Sequence, residues 1–287
     1  MSYIGRFAPS PTGPLHFGSL VAAVASWLDA RRHGGRWLVR MEDLDPPREV
    51  PGAADAILRS LEAFGLHWDG PVLYQSTRGE AYEAALLQLG KAGHAFDCGC
   101  SRREVAQAGL PGLDGPIYPG TCRGGLPPGK RARAARLRTE PGIIEFADRV
   151  QGVVAQDVAR EVGDFVIRRA DGYFAYQLAV VVDDAFQGIT HVVRGLDLLD
   201  STPRQILLQR LLGLPTPHYL HHPLVLTPEG EKLSKQTGAP PVDMSDPVPA
   251  LIRALEFLGE PVPENASAGP PEAILHWVAA KPESAQR

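Results

Sequence analysis

A histidine two residues before a glycine, His16-Phe17-Gly18, and two lysines three apart, in Glu231-Lys232-Leu233-Ser234-Lys235-Gln236, are the residues of this chain whose types and spacing first suggest chemistry. His16 and Gly18 stand where a helix is expected to begin after a short strand and a loop. A helix N-terminus offers free N–H groups and a partial positive charge, so phosphate is the expected guest. Gly18 has no side chain to block a flat ligand approaching the backbone. The chain has five lysines, Lys91, Lys130, Lys232, Lys235 and Lys281, and uses arginine at most basic positions. A lysine retained in such a chain suggests a need for a compact, mobile ammonium that follows a phosphate as charge moves. Arg40 and Glu42 sit two apart in a strand-like run, which puts both on one face, where they could simply pair. The three cysteines form Cys98-Gly99-Cys100 and, after a Gly/Pro-rich return, Cys122. Such thiolates can converge on a tetrahedral zinc, which needs a fourth ligand. General ligand chemistry offers His94 first and Asp97 second.

The elements that must position these groups follow from periodicity. Ile4 to Phe7 reads as a strand, and the loop Ala8-Pro9-Ser10-Pro11-Thr12-Gly13-Pro14 cannot lie inside a helix. From Ser19 the apolar residues Leu20, Val21, Val24, Trp27 and Leu28 have the spacing of a helix that buries one face. Trp37 to Glu42 is a second strand, completing a βαβ unit. Helices are predicted over Ala53 to Phe64 and Gly79 to Leu89, then an irregular stretch from Phe96 to about Gly142. Asp171-Gly172 marks a hairpin between Phe165–Arg168 and Tyr173–Ala175. Ile189 to Val193 is a further strand. A helix capped by Thr202, with Pro203 at its first position, runs to about Leu212. Leu224-Val225-Leu226 reads as a strand, and Pro247 to Leu258 as a one-faced helix stopped by Gly259.

Together, Ser10-Pro11-Thr12-Gly13 with His16-x-Gly18 and Lys232-Leu233-Ser234-Lys235 resemble the two signatures of class I aminoacyl-tRNA synthetases. Arg6 to Gly18, taken with Arg40-Met41-Glu42-Asp43-Leu44-Asp45, is similar to the glutamyl branch. The resemblance implies a doubly wound parallel α/β (Rossmann) catalytic domain with a zinc-bearing insertion and a short helical C-terminal segment. It implies that His16, Gly18, Lys232, Ser234 and Lys235 bind ATP, with His16 and Lys235 catalytic and Mg²⁺ assisting. Glutamate would lie on Arg6, Phe7, Ala8, Pro9, Ser10, Glu42, Tyr176 and Arg194: arginines suit its carboxylates and Glu42 its ammonium. Shortened members of the branch, which attach glutamate to queuosine in tRNA-Asp, show a Cys-x-Cys…Tyr-x-x-x-Cys arrangement. Carried over, this makes Cys98, Cys100, Tyr118 and Cys122 the ligands of one structural zinc. The expected partners are L-glutamate, ATP and queuosine-bearing tRNA-Asp. Ser19 and Gln236 depart from the general class I pattern, which often has a second histidine and a basic residue there.

The implied division is 1–95 and 165–236 for the two catalytic halves, 96–164 for the insertion and 237–287 for the C-terminal segment. Only 52 residues follow Lys235, too few for a separate anticodon-binding domain, so the shortened group is expected. The alternatives are a synthetase charging a tRNA 3′ end, a nucleotidylyltransferase, and a silent glutamate-binding paralogue. Composition agrees with a globular enzyme: 44% of residues are hydrophobic and 22% charged, with 30 Gly and 27 Pro pointing to many turns. A formal charge of −4 argues against non-specific nucleic-acid coating, though the basic run Lys130 to Arg138 could track an RNA backbone or be a solvated face. No membrane span or signal peptide is read, and odd, closely spaced cysteines suit a reducing compartment. A cytoplasmic monomer is expected.

Overall fold

The structure, a computed structural model, describes residues 2–227, 230–233 and 239–282. The chain opens with strand β1 (Ile4–Phe7), helix α1 (Phe17–Arg32) and strand β2 (Arg36–Met41), followed by α2 (Ala53–Ala63), the short β3 (Leu73–Tyr74) and α3 (Gly79–Lys91). Strands β1, β2 and β3 are parallel neighbours, with Arg6 opposite Leu38 and Arg40 opposite Leu73. After β4 (Ala95–Cys98) come α4 (Arg102–Ala108), the small hairpin β5 (Pro111–Gly112) and β6 (Gly115–Pro116), and β7 (Ala134–Leu137). Next are β8 (Ile143–Asp148), β9 (Gly152–Asp157), α5 (Val158–Glu161) and β10 (Val166–Arg168). The chain returns through α6 (Tyr176–Phe186), β11 (His191–Gly195), α7 (Thr202–Leu212) and β12 (His218–His222), and ends in α8 (Val248–Phe257) and α9 (Pro271–Ala279).

Strands β11, β12 and β8 are also parallel, with β9 antiparallel at the edge. The Thr190 N–H donates to the Ile4 carbonyl at 2.9 Å, which seats β11 beside β1. The chain therefore winds one way through β1, β2 and β3 and the other way through β11 and β12, so the strand order reverses between β1 and β11. Strand side chains alternate between the two faces. Trp37, Val39, Met41, Val193 and Leu220 pack with α1, α2, α8 and α9, whereas Leu38, Val192 and Tyr219 pack with α3, α6 and α7. Burial on both faces is what a parallel sheet between two helical layers requires. In such sheets ligands bind beyond the carboxyl ends of the strands where the winding reverses.

A second sheet, antiparallel in the order β10-β7-β4, holds the cysteine-bearing stretch. Strand β8, within the stretch 96–164, instead joins the main sheet, pairing Asp148 with Tyr219 of β12.

Several local expectations change. The stretch from 96 to 142 contains β4, α4 and β7, and α4 begins with a full capping box between Ser101 and Glu104. Thr202 is already helical and does not cap α7; its hydroxyl is drawn to Arg194 instead. Leu224 to Leu226 forms no strand, only a bridge from Leu226 to Lys232, while His218–His222 does. The hairpin at Asp171-Gly172 is present, closed by Arg169 N–H to the Tyr173 carbonyl at 2.8 Å. Among the described residues no helix is long and apolar enough to cross a membrane.

Candidate active site and metal centre

A cavity of about 950 Å³ opens at the carboxyl ends of β1, β2, β11 and β12. Its lining brings together Arg6, Phe7, Ala8, Pro9, Ser10, His16, Gly18, Glu42, Tyr176, Arg194 and Lys232, all named from the sequence. Ser234 and Lys235 lie outside the described residues. The proline-rich loop is tied to the end of β2 by the Glu42 N–H, which donates to the Pro9 carbonyl at 2.9 Å. This bond sets the loop and the Glu42 backbone side by side at the mouth of the sheet.

His16 is the N-cap of α1. Its Nδ1 accepts from the Ser19 N–H at 3.3 Å, which leaves the ring proton on Nε2, 2.9 Å from the Ser19 hydroxyl. Serine in place of a second histidine thus fixes the first. Gly18 has a steric reason beyond ligand access. A Cβ there would lie 3.2 Å from His16 Cε1 and 3.3 Å from the Leu233 carbonyl oxygen, so a side chain would press on both the His16 ring and the loop at 230–233 that packs against α1. Lys232 pairs with Asp197, which also lines the cavity.

Three guanidinium groups surround the inner end. Arg40 is fully buried and donates to Asp184 at 2.8 Å and to Gln187 at 2.8 Å, and Arg6 reaches the same Asp184 oxygen at 3.2 Å. Burial works to raise the Asp184 pKa, but Arg6 and Arg40 outweigh it and hold the carboxyl below its ordinary range. Glu42 lies 3.6 Å from Arg40, its Oε1 buried without a hydrogen bond. Burial pushes its pKa up to about 7 against the opposing pull of Arg40 and Arg6. A buried carboxyl poised near neutrality and lacking a donor at one oxygen is suited to an incoming cation. Arg194 shows the converse: Nε and Nη2 are engaged, and Nη1 is buried with no hydrogen-bond partner in the protein. The cavity therefore offers an anion donor and a cation acceptor, the complement of a zwitterion.

Sequence reasoning missed Asp184, Gln187, Thr202, His221 and Asp148. One signal was present: Asp183-Asp184 interrupts the otherwise apolar helix Leu178 to Phe186, and acids buried there need partners. Asp183 takes Gln75, Arg78 and Tyr82 at 3.0, 3.0 and 2.5 Å.

The cysteines converge. Cys98, Cys100 and Cys122 form a group whose sulfur atoms lie within 4.8 Å of one another and could hold a metal ion. Cys100 and Cys122 are 3.7 Å apart, and Tyr118 Oη lies 3.4 Å from Cys98 Sγ and 3.6 Å from Cys100 Sγ. A tetrahedral ion with metal–sulfur bonds of about 2.3 Å and a metal–oxygen bond of about 2.0 Å would space its donors by about 3.8 Å (S to S) and about 3.5 Å (S to O). The donor set fits. Neither His94 nor Asp97 joins the group: Asp97 is exposed on β4, on the face opposite the buried Cys98. The Arg136 guanidinium covers the Tyr118 ring at 4.0 Å and donates from Nε to Cys98 Sγ at 3.4 Å. Burial disfavours the Cys98 thiolate, yet the hydrogen bonds from Tyr118 and Arg136 prevail and hold its pKa below the ordinary value.

Much of the basic run Lys130 to Arg138 is occupied within the fold. Lys130 pairs with Glu104, and Arg136 and Arg138 donate to the carbonyls of Asp164 and Arg123 at 2.8 and 2.7 Å.

The model of the family "tRNA synthetases class I (E and Q), catalytic domain" matches residues 4–109 and 130–263. The chain is 62% identical over 277 residues to the glutamyl-Q tRNA(Asp) synthetase of Dechloromonas aromatica, covering 96% of this chain and 92% of that protein. It is 60% identical over 274 residues to the protein of the same name from Thiobacillus denitrificans, covering 96% and 91%. Among solved structures, a glutamate tRNA ligase from Elizabethkingia meningosepticum in complex with its amino acid superposes with TM-score 0.73 at 27% identity, over 98% of this chain. The chain spans 61% of that ligase's length. The methionyl-tRNA synthetase of Mycobacterium tuberculosis, at TM-score 0.58 and 13% identity, shares the fold. Family match, near-full-length identity and superposition agree: the chain belongs to the class I tRNA synthetases of the E and Q type, among the glutamyl-Q tRNA(Asp) synthetases.

Proposed function

We propose that this enzyme activates L-glutamate with ATP and transfers it to queuosine in tRNA-Asp. The observation that carries the first half is the convergence of Arg6, Glu42, Tyr176, Arg194 and His16 on one cavity. The α-carboxylate of glutamate attacks the α-phosphorus of ATP; the new O–P bond gives glutamyl-adenylate, and the bond to the β-phosphate breaks to release pyrophosphate. Glu42 receives the ammonium, Arg194 Nη1 a carboxylate, and Arg6 and Tyr176 close the inner wall. His16 at the positive end of α1, with Lys235, holds phosphate oxygens and offsets the charge that develops on them. Mg²⁺ carried on the ATP phosphates would share that charge. No covalent enzyme intermediate is needed.

In the second step a hydroxyl attacks the activated carbonyl carbon, its proton leaves, and AMP departs. The name of the relatives at 62% and 60% identity supports the queuosine cyclopentenediol as the source of that hydroxyl. Cys98, Cys100, Tyr118 and Cys122 would hold one zinc ion, four protein donors leaving no open position, so its role is structural. The division proposed is two catalytic halves, 1–95 and 165–236, separated by 96–164 and followed by 237–287, with β8 at the far end of the middle stretch paired into the main sheet.

The experiment is transfer of labelled glutamate to tRNA-Asp from which the 3′-terminal adenosine has been removed, with and without queuosine. Labelling of the queuosine-bearing form alone is expected. Labelling that requires the terminal adenosine would refute queuosine as acceptor.

A further inference from the structure

We infer that Asp148 and His221 are positioning residues for substrate glutamate, acting through Arg194; this rests on the reading of Arg194 as a glutamate ligand. The three come from adjacent strands: Arg194 on β11 lies opposite His221 on β12, and Asp148 ends β8 beside them. All are buried, at 5%, 0% and 4% exposure. His221 Nδ1 is 2.6 Å from Asp148 Oδ2, and Arg194 Nε is 3.0 Å from His221 Nε2. An arginine Nε always carries hydrogen, so His221 Nε2 must accept, and the ring proton must sit on Nδ1, facing the carboxylate. The carboxylate cannot turn away. Its Oδ1 accepts the backbone N–H groups of Val150 and Gln151, each at 2.9 Å.

The Arg194 fork is held at a second point, where Nη2 donates to the Thr202 hydroxyl at 2.7 Å. With Nε and Nη2 fixed, the planar guanidinium is held at two points, and Nη1 is left buried without a protein partner on a residue that lines the cavity. Burial holds His221 below its ordinary pKa despite the opposing pull of Asp148, in agreement with the neutral ring this geometry demands.

Asp148→Asn tests the relay with little change of shape. The amide oxygen can keep the backbone bonds, but its NH₂ then faces Nδ1, forcing the ring proton to Nε2 against the Arg194 N–H. In glutamate-dependent ATP–pyrophosphate exchange, the glutamate KM should rise at least tenfold while the ATP KM stays within twofold, and calorimetry should show the same loss of glutamate affinity. His221→Leu should match it, whereas His221→Gln, which keeps a donor and an acceptor, should recover part of the loss. Should Asp148→Asn not fold, Thr202→Val removes the second tether and should raise the glutamate KM several-fold. Unchanged glutamate binding in folded variants, or a parallel rise of both KM values, overturns the proposal. Wild-type protein that binds no glutamate overturns the underlying reading of the pocket instead.

Discussion

Glutamate affinity should depend on pH through Glu42. Its carboxyl is buried, with a pKa near 7 and one oxygen without a hydrogen bond. If only the carboxylate receives the substrate ammonium, the binding-competent fraction is about 9% at pH 6 and about 91% at pH 8. The glutamate KM should therefore fall about tenfold across that interval, equivalent to about 1.4 kcal/mol. Free glutamate changes its own charge little over this range, so the dependence belongs to the protein. Stability should move the opposite way. The folded pKa lies above the ordinary value of 4.5, so the contribution is full below about pH 4.5 and is lost as pH rises through about 7. The loss is on the order of 3 kcal/mol in the absence of substrate. Glu42→Gln, which cannot ionise, should bind glutamate poorly at every pH and melt higher than wild type at pH 8. Titration calorimetry with glutamate from pH 5.5 to 8.5, alongside thermal melts of the free proteins, measures both. A wild-type glutamate affinity that varies less than twofold between pH 6 and 8, or a variant that keeps the wild-type profile, refutes the argument.

Asp184→Ala leaves Arg6 and Arg40 buried without their shared carboxylate, and urea unfolding should show a loss of about 3–5 kcal/mol. Elemental analysis of purified protein should find about one zinc per chain, falling toward zero in Cys122→Ser, and hydrogen exchange in that variant should rise across β4 and β7. His16→Ala should reduce pyrophosphate exchange by about 10²–10³-fold while the melting temperature falls by only a few degrees, since the ring caps a half-buried helix start and loss of such a cap costs about 1 kcal/mol. Leu251→Ala, in the core between α1 and α8, should cost about 2–5 kcal/mol in denaturant titration and leave substrate KM values unaltered.

The parts of the site legible in the sequence are those whose partners lie nearby along the chain. His16 and Gly18 declare a helix start after a strand, and the period of two in Trp37 to Glu42 puts Arg40 and Glu42 together, as observed at 3.6 Å. What orients those groups comes from far away: Asp184 is 144 residues from Arg40, and His221 is 27 from Arg194. Strand β12 escaped notice because His221 and His222 break the apolar pattern of a buried strand; the imidazole is tolerated there because Asp148 and Arg194 satisfy both ring nitrogens. The apolar run Leu224 to Leu226 misled for the complementary reason, since Leu224 and Val225 line the cavity instead of pairing in a sheet. Ligand chemistry favoured His94 or Asp97 near the thiols, but the pleat of β4 turns Asp97 away from Cys98.

The return of β8 to the main sheet governs how this protein can be recombined with its relatives. Asp148 ends that strand, and the next residue, Arg149, reaches across to Asp29 of α1 at 2.8 Å. A chimera that exchanges 96–164 as one cassette would take both positions from the other parent, and with them two ties to the catalytic body. A crossover placed near Gly142, after β7 and before β8, would exchange the cysteine-bearing half while leaving the Arg194 relay native. The useful unit of inheritance here is set by where a strand pairs, not by where an insertion begins and ends.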